Sequence, residues 1–309
     1  MGIIVTLHRK KTTTMKRLFF LTVLGACLLL TSCRRTDTPS SEQVSTFSQP
    51  RQAHEPNKAH EPNKPSEPNR TQETYESRDS QQPVDLLKQR VGRGVSEKIL
   101  TRKSYVTSYN KQTKCPNWVA WTLTKEHTYG HVQRENERFE EDTEVATPRA
   151  TFQDYYNSRY DRGHMCPAGD NKWDEEAMTQ SFLLTNICPQ NHGLNKEDWN
   201  DLEIQCRSWA RRYGELTIVC GPLFEDENPR QIGRNHITVP SGFFKVVCRM
   251  QPTPAAVGFI FTNDGHRQPW RQQSVSVDEV EQRTGFNFFH TLPDDVEDVL
   301  EAVSTLDEW

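Results

Sequence analysis

The chain has 309 residues, 34% of them hydrophobic, and carries 38 Lys and Arg against 42 Asp and Glu, for a net charge of −4. That length admits one large domain or two small ones. The acidic balance excludes a globally basic nucleic-acid binder, so any site for a polyanion has to be a local concentration of cations. Mean hydropathy is −0.83, a value diluted by a long polar stretch near the N-terminus.

From Met15 to Cys33 the chain reads MKRLFFLTVLGACLLLTSC. Lys16 and Arg17 form a basic head, and Leu18 to Leu30 an apolar run too short for a comfortable membrane span. The run closes on Leu30-Thr31-Ser32-Cys33, which resembles the lipobox of bacterial lipoproteins. That resemblance implies a signal over residues 1–32, with Met15 as a second candidate start, and lipidation of Cys33. An ordinary signal peptide and an anchor helix are the alternatives. Residues 33–83 are expected to form a linker. AHEPNKAHEPNKPSEPNR (Ala53–Arg70) is a hexapeptide repeated almost three times, with Pro in each unit and no large apolar residue. Such a segment buries too little surface to offset chain entropy. The expectation is a globular domain over residues 84–309, exported and tethered to the bacterial envelope, in the periplasm or at the cell surface.

From Val84 onward the composition turns globular. SYVTSYN, NWVAWTLT, LTIVCGPLF, HITVP, GFFKVVC and AAVGFIFTN are rich in β-branched and aromatic residues and are predicted as strands. Short turns between them favour an antiparallel sheet. Trp199, Leu202, Cys206, Trp209 and Tyr213 recur at spacings of three and four, which predicts a helix from Asn195 to Tyr213 with Gly214 as its C-cap. Ser276 and Glu279 predict a capped helix start and Gly285 its end. LPDDVEDVLEAV predicts a last surface helix. Strands interrupted by a helix and followed by more strands and helices indicate an α+β class. Six cysteines, Cys115, Cys166, Cys188, Cys206, Cys220 and Cys248, remain in this body. An even number in an exported chain predicts disulfides. A zinc site from Cys166, Cys188 and His192 is the rival.

YDRGHMCPAGDN (Tyr160–Asn171) has neither a helical nor a strand-like periodicity. It sets an acid, a guanidinium and an imidazole around one glycine. Imidazole is the side chain best placed to accept a proton near neutral pH, and a guanidinium fork suits phosphate. Asp161 is positioned to orient a neighbour. Gly163 allows a bend that presents Arg162 and His164 differently. Downstream, Asn186, Asn191, Asn195 and Glu203 lie along a polar loop that enters the predicted helix. Polar groups facing a core need partners, and a hydrated cation would serve.

Asp161-Arg162-Gly163-His164, followed by TNICPQ and LNKEDWNDLE, resembles the DNA/RNA non-specific endonuclease family. The likeness runs from about Tyr105 to Leu300 and includes NWVAWTL, IVCGPLF, ITVPSGFFKVV and SVDEVEQRTGFNFF in the family's order. It implies a ββα-metal fold around an antiparallel sheet, hydrolysis of DNA and RNA, and Mg²⁺ as cofactor with Mn²⁺ as a substitute. By resemblance His164 is the general base and Asn195 the metal ligand. Asn186 and Glu203 fall on supporting catalytic positions, and Arg162 on the motif's arginine. A second phosphate-binding arginine is expected in RENERFEED, with Arg138 preferred and Arg134 the alternative. Asp161 is grouped with Arg162 and Arg138 at the substrate. The competing readings are an envelope protein that binds nucleic acid without cutting it, and a purely structural exported domain. The second has no use for Arg162, His164, Asn195 and Glu203 together.

Overall fold

A computed structural model describes residues 84–309. The expected signal, the lipidated Cys33 and the repeat linker lie outside the described residues. Eleven strands follow in chain order: β1 (Lys98–Thr101), β2 (Val106–Asn110), β3 (Cys115–Thr124), β4 (Asp161–His164), β5 (Ile187–Gln190), β6 (Glu215–Leu223), β7 (Gln231–Ile232), β8 (Ile237–Thr238), β9 (Gly242–Arg249), β10 (Ala255–Thr262) and β11 (Ser274–Val275). The α-helices are α1 (Glu175–Ser181), α2 (His192–Lys196), α3 (Asp198–Tyr213), α4 (Val277–Thr284) and α5 (Asp294–Glu301).

Seven strands form one sheet in the order β1-β2-β3-β6-β9-β10-β11, antiparallel at each junction. Its centre is apolar on both faces because alternate side chains of a strand point to opposite sides. Val119, Trp121 and Leu123 of β3 join Ile218, Phe243 and Val247 in one core, covered by Trp199, Leu202, Cys206 and Trp209 of α3. Trp118 and Ala120 join Val219, Phe244 and Val246 in a second core, covered by Val277 and Val280 of α4 and Leu300 of α5. Each large side chain fully buried in this way contributes about 1.5–3 kcal/mol. The sheet is therefore a stiff wall between two cores.

The structure alters four expectations. Asp161–His164 is a strand, paired with β5, although its residues show no alternation of polarity. The helix predicted from Asn195 is two helices, broken at Glu197, whose φ of −109° and ψ of −92° leave the helical range. Asn195 therefore lies on α2, a separate helix from α3, which carries Glu203. The last helix is only partly a surface element, since Leu300 and Glu301 are buried. The expected caps of α4 are present: Ser276 Oγ accepts from Glu279 N at 3.1 Å, and Gly285 takes the left-handed conformation at φ 69°.

The fourth correction concerns sulfur. Cys115, Cys166, Cys188, Cys206, Cys220 and Cys248 are free and buried, and the expected disulfides are absent among the described residues. Cys248 packs in the second core and the other five in the first, so the sheet separates it from any partner. These thiols fill core volume and make weak polar contacts, such as Cys220 Sγ to Met165 O at 3.4 Å. The zinc alternative fails too: Cys166 and Cys188 are in the core, while the His192 side chain is 69% exposed. Burial pushes the thiols of Cys166 and Cys188 up, and those of Cys206, Cys220 and Cys248 up to about 12. Buried thiols that stay protonated are poor nucleophiles. An aromatic disulfide reagent should therefore leave all six unreacted in the native domain and titrate all six in denaturant. Rapid native reaction of even two would contradict this packing.

Candidate active site

β4 and β5 run antiparallel with Gly163 opposite Cys188 and His164 opposite Ile187. Gly163 is required by close approach, and not for the bend its sequence context suggests. A Cβ at this position would stand 2.2 Å from Gln190 Oε1 and 2.6 Å from Gln190 Cβ. After β5, Asn191 caps α2 by accepting from Gly193 N at 2.9 Å. Asn263, just past β10, ties this turn to the large sheet. Its Oδ1 accepts from Asn191 N at 2.7 Å, and its Nδ2 donates to Pro189 O and Pro240 O at 3.1 and 2.9 Å. A strand, a second strand and a helix thus present His164 and Asn195 from one compact unit.

The unit opens onto a cleft of about 460 Å³. Asp161, Arg162, His164, Asn195 and Glu203 all line it, together with Arg134, Lys172, His192, Lys196, Asn200 and Arg207. The local basic patch that a chain of net negative charge needs is here.

The His164 ring packs against Phe139 and Phe182, with centroids 5.3 and 4.8 Å away. Its Nε2 is buried and has no hydrogen-bond partner. Burial, followed by the positive field of Arg134, lowers its pKa to about 3. The imidazole is neutral at physiological pH and able to accept a proton. Asn195 Nδ2 donates to Asp161 Oδ2 at 2.9 Å, and His192 Nδ1 contacts the same oxygen at 2.9 Å. The amide is thereby fixed with Oδ1 uncommitted to that carboxylate. Asp161, grouped with the substrate residues by resemblance, lines the cleft and there faces Asn195 and His192. A carboxylate there would repel phosphate, whereas it orients an amide well.

Asn186, expected among the catalytic groups, is fully buried and outside the cleft lining. Its Oδ1 accepts from Cys166 N at 2.9 Å, and its Nδ2 donates to Cys166 O and Ser181 O at 2.9 and 2.8 Å. Its amide ties the backbone two residues after His164 to that of Ser181 at the end of α1. The expected arginine also changes. Arg138 is exposed and does not line the cleft, while Arg134 does. Phe139 packs its ring on His164, while its neighbour Arg138 stands in solvent. Arg134, on the short turn before it, lies over the Phe182 ring at 5.9 Å. Arg162 is held between Phe139 and Phe152, 4.9 and 4.6 Å from their centroids. That stacking limits the guanidinium's motion.

Glu203 is half-buried in the cleft wall. Burial raises its pKa to about 7 against the opposing pull of Lys245 and Arg207. Arg207 is held by Asp170 at 2.8 Å, and Asp170 also accepts from Trp121 Nε1 at 3.1 Å. Lys245 of β9 is completely buried behind the wall, with Nζ 4.2 Å from the Trp199 ring centre, 5.5 Å from that of Trp121, and no hydrogen-bond partner. Burial disfavours its charge, but Cys220, Glu203 and their neighbours outweigh this and raise its pKa. Sequence reasoning missed Lys172, Lys196, Asn200, Arg207 and Lys245. Two carried a signal: Lys245 interrupts the apolar strand GFFKVVC, and Arg207 follows Glu203 by four residues, one helical turn.

Residues 82–295 match the family of DNA/RNA non-specific endonucleases. The chain belongs to that family. It is 38% identical over 159 residues to human endonuclease G, mitochondrial, covering 48% of this chain and 54% of that one. To nuclease C1 of Cunninghamella echinulata it is 34% identical over 215 residues, or 64% and 85% of the two chains. To the mitochondrial nuclease EXOG of Xenopus laevis it is 33% identical over 210 residues, or 62% and 58%. The chain thus spans less than two thirds of the Xenopus and human relatives. A crystal structure of the EndoG/EndoGI complex superimposes with a TM-score of 0.60 at 28% identity, covering 63% of this chain and 87% of that one. The β4–β5–α2 unit on an antiparallel sheet is accordingly the family's ββα-metal fold.

Proposed function

We propose that this domain hydrolyses phosphodiester bonds of DNA and RNA without fixed sequence preference, with Mg²⁺ as cofactor and Mn²⁺ as its substitute. One observation carries the reading: a neutral imidazole with an unpartnered Nε2 shares a cation-lined cleft with an amide whose orientation a carboxylate fixes. A receptor that only bound nucleic acid would need the cations and not this pairing.

The donor set fits a hard divalent ion. Asn195 offers a neutral oxygen on a rigid amide, and Glu203 stands in the same cleft for contact through water. When bound there, Mg²⁺ supplies positive charge against the charge that builds on phosphate. Arg162 and Arg134 hold phosphate oxygens, Arg162 with little freedom because two rings clamp it. Lys172 and Lys196 extend that grip along the backbone of the substrate. His164, lining the cleft, accepts the proton of the attacking water on its imidazole as the new P–O bond forms and the bridging P–O bond breaks, the departing oxygen taking a proton from solvent. Contacts to phosphate and sugar carry no base information, so cleavage is sequence-blind.

The test is the purified full chain with plasmid DNA and with RNA, in Mg²⁺ or EDTA. Degradation of both in Mg²⁺ to fragments of varied ends is expected, with none in EDTA. Discrete reproducible bands, or equal activity in EDTA, would overturn the reading. If four cleft cations meet phosphates, affinity for DNA should fall roughly a hundredfold between about 50 and 200 mM salt. Filter binding in EDTA measures this, and a flat response would remove the cleft from the binding surface.

We also propose envelope tethering, on the strength of Cys33 and the charged and apolar run before it. Cys33→Ser should abolish incorporation of labelled lipid and shift the protein to the soluble fraction. Unchanged labelling would rule Cys33 out.

A further inference from the structure

α4 and α5 meet on the sheet face opposite the cleft, through Val277, Val280 and Leu300. Beside that contact the two helices gather carboxylates. Asp278 and Glu281, three residues apart on α4, and Glu301, at the end of α5, each place a ligand oxygen within 4.8 Å of the other two. Burial is graded, with Asp278 exposed, Glu281 half-buried and Glu301 only 4% exposed. Glu301 Oε1 is buried without a hydrogen-bond donor. Glu281 Oε1 has one, Phe288 N at 2.6 Å. After burial, the groups acting most strongly on Glu301 are all acidic: Glu281, Glu297, Asp278 and Asp298.

A buried carboxylate with no donor and only acids around it requires neutralisation. Protons are one way. Burial and the neighbouring acids raise Glu281 to about 7 and Glu301 to about 9. A cation is the other. We propose that Asp278, Glu281 and Glu301 bind one Ca²⁺ ion that clips α5 to α4, at a site separate from the nuclease cleft. The donors are hard oxygens, and the exposed Asp278 marks the entry side, where water completes the shell. Ca²⁺ takes 6–8 such oxygens at about 2.3–2.6 Å in flexible geometry, which suits carboxylates completed by water, whereas Mg²⁺ demands a near-ideal octahedron.

The experiment uses the full chain with Asn195→Ala, which silences the cleft's own amide ligand, and the same chain with Glu301→Gln added. CaCl₂ is titrated calorimetrically at pH 8, and heat unfolding is followed with and without Ca²⁺. Expected are one ion per chain with a dissociation constant of roughly 10⁻⁵–10⁻³ M, and a Ca²⁺-dependent rise in the unfolding midpoint. Both should weaken at least tenfold or vanish with Glu301→Gln. Removing one of several repelling charges leaves the Glu301→Gln chain folded without Ca²⁺, and its midpoint in EDTA should equal or exceed that of its parent. No Ca²⁺ response in the parent, or one that survives Glu301→Gln, would overturn the site. Neither readout involves cleavage, so the result stands apart from the proposed activity.

Discussion

His164→Ala should lower the cleavage rate by about 10²–10⁴, the usual worth of a positioned general base, while DNA affinity in EDTA changes by no more than a few-fold. The cations that would hold phosphate, Arg134, Arg162, Lys172 and Lys196, sit on other residues and survive the change. Melting must be checked in parallel, because the ring also packs between Phe139 and Phe182. The pH profile separates His164 from its neighbours. With a pKa near 3, His164 stays neutral throughout the range from pH 5 to 8 and cannot set an acid limb there. Glu203, at about 7, can. Its carboxyl gains a proton as pH falls through that value and loses the charge that favours a hydrated cation. Activity should therefore drop below about pH 7 in the native chain, and Glu203→Gln should flatten that limb at a lower overall rate. Wild-type cleavage by His164→Ala would move the base elsewhere, with His192 next to be tested.

Asn195→Ala should produce the other large loss, with a different signature. The half-saturating Mg²⁺ concentration should rise by at least the 10–100-fold that follows loss of even a supporting group at a metal site. High Mg²⁺ should restore part of the rate. The substitution also frees Asp161 from its amide partner, leaving a carboxylate to compete for cations in a less favourable place. A metal titration that coincides with the native curve, whatever the rate, would show that Asn195 does not hold the ion.

The sheet was legible because its strands are long, apolar and β-branched, and because the two cores make almost each residue of β3, β6 and β9 informative. β4 and β5 were not. They are short, they carry Asp, Arg, Gly, His, Pro and Gln, and their pairing depends on Gly163 receiving Gln190, a contact between residues 27 positions apart. Resemblance brought His164, Asn195, Glu203 and Arg162 to one place, and the fold gathers them there. It could not say which arginine of RENERFEED turns inward, since that depends on Phe139 meeting His164. Nor could it tell that Asn186 spends its amide on the backbone of Cys166. Cysteine count misled for a different reason. Parity is an argument about compartment, and it says nothing of whether two sulfurs share a face of a sheet.

Lys245 divides the response of this domain to its surroundings in two. The rim cations stand in solvent, where added salt screens them within about 10 Å. The ammonium of Lys245 lies behind Trp121 and Trp199, out of reach of any counterion. Its potential at Glu203 is as constant as the fold itself. If the cleft takes nucleic acid as proposed, ionic strength should govern how often it is captured and scarcely touch a strand already seated. A domain built this way would slow in brine by starvation, with its chemistry intact.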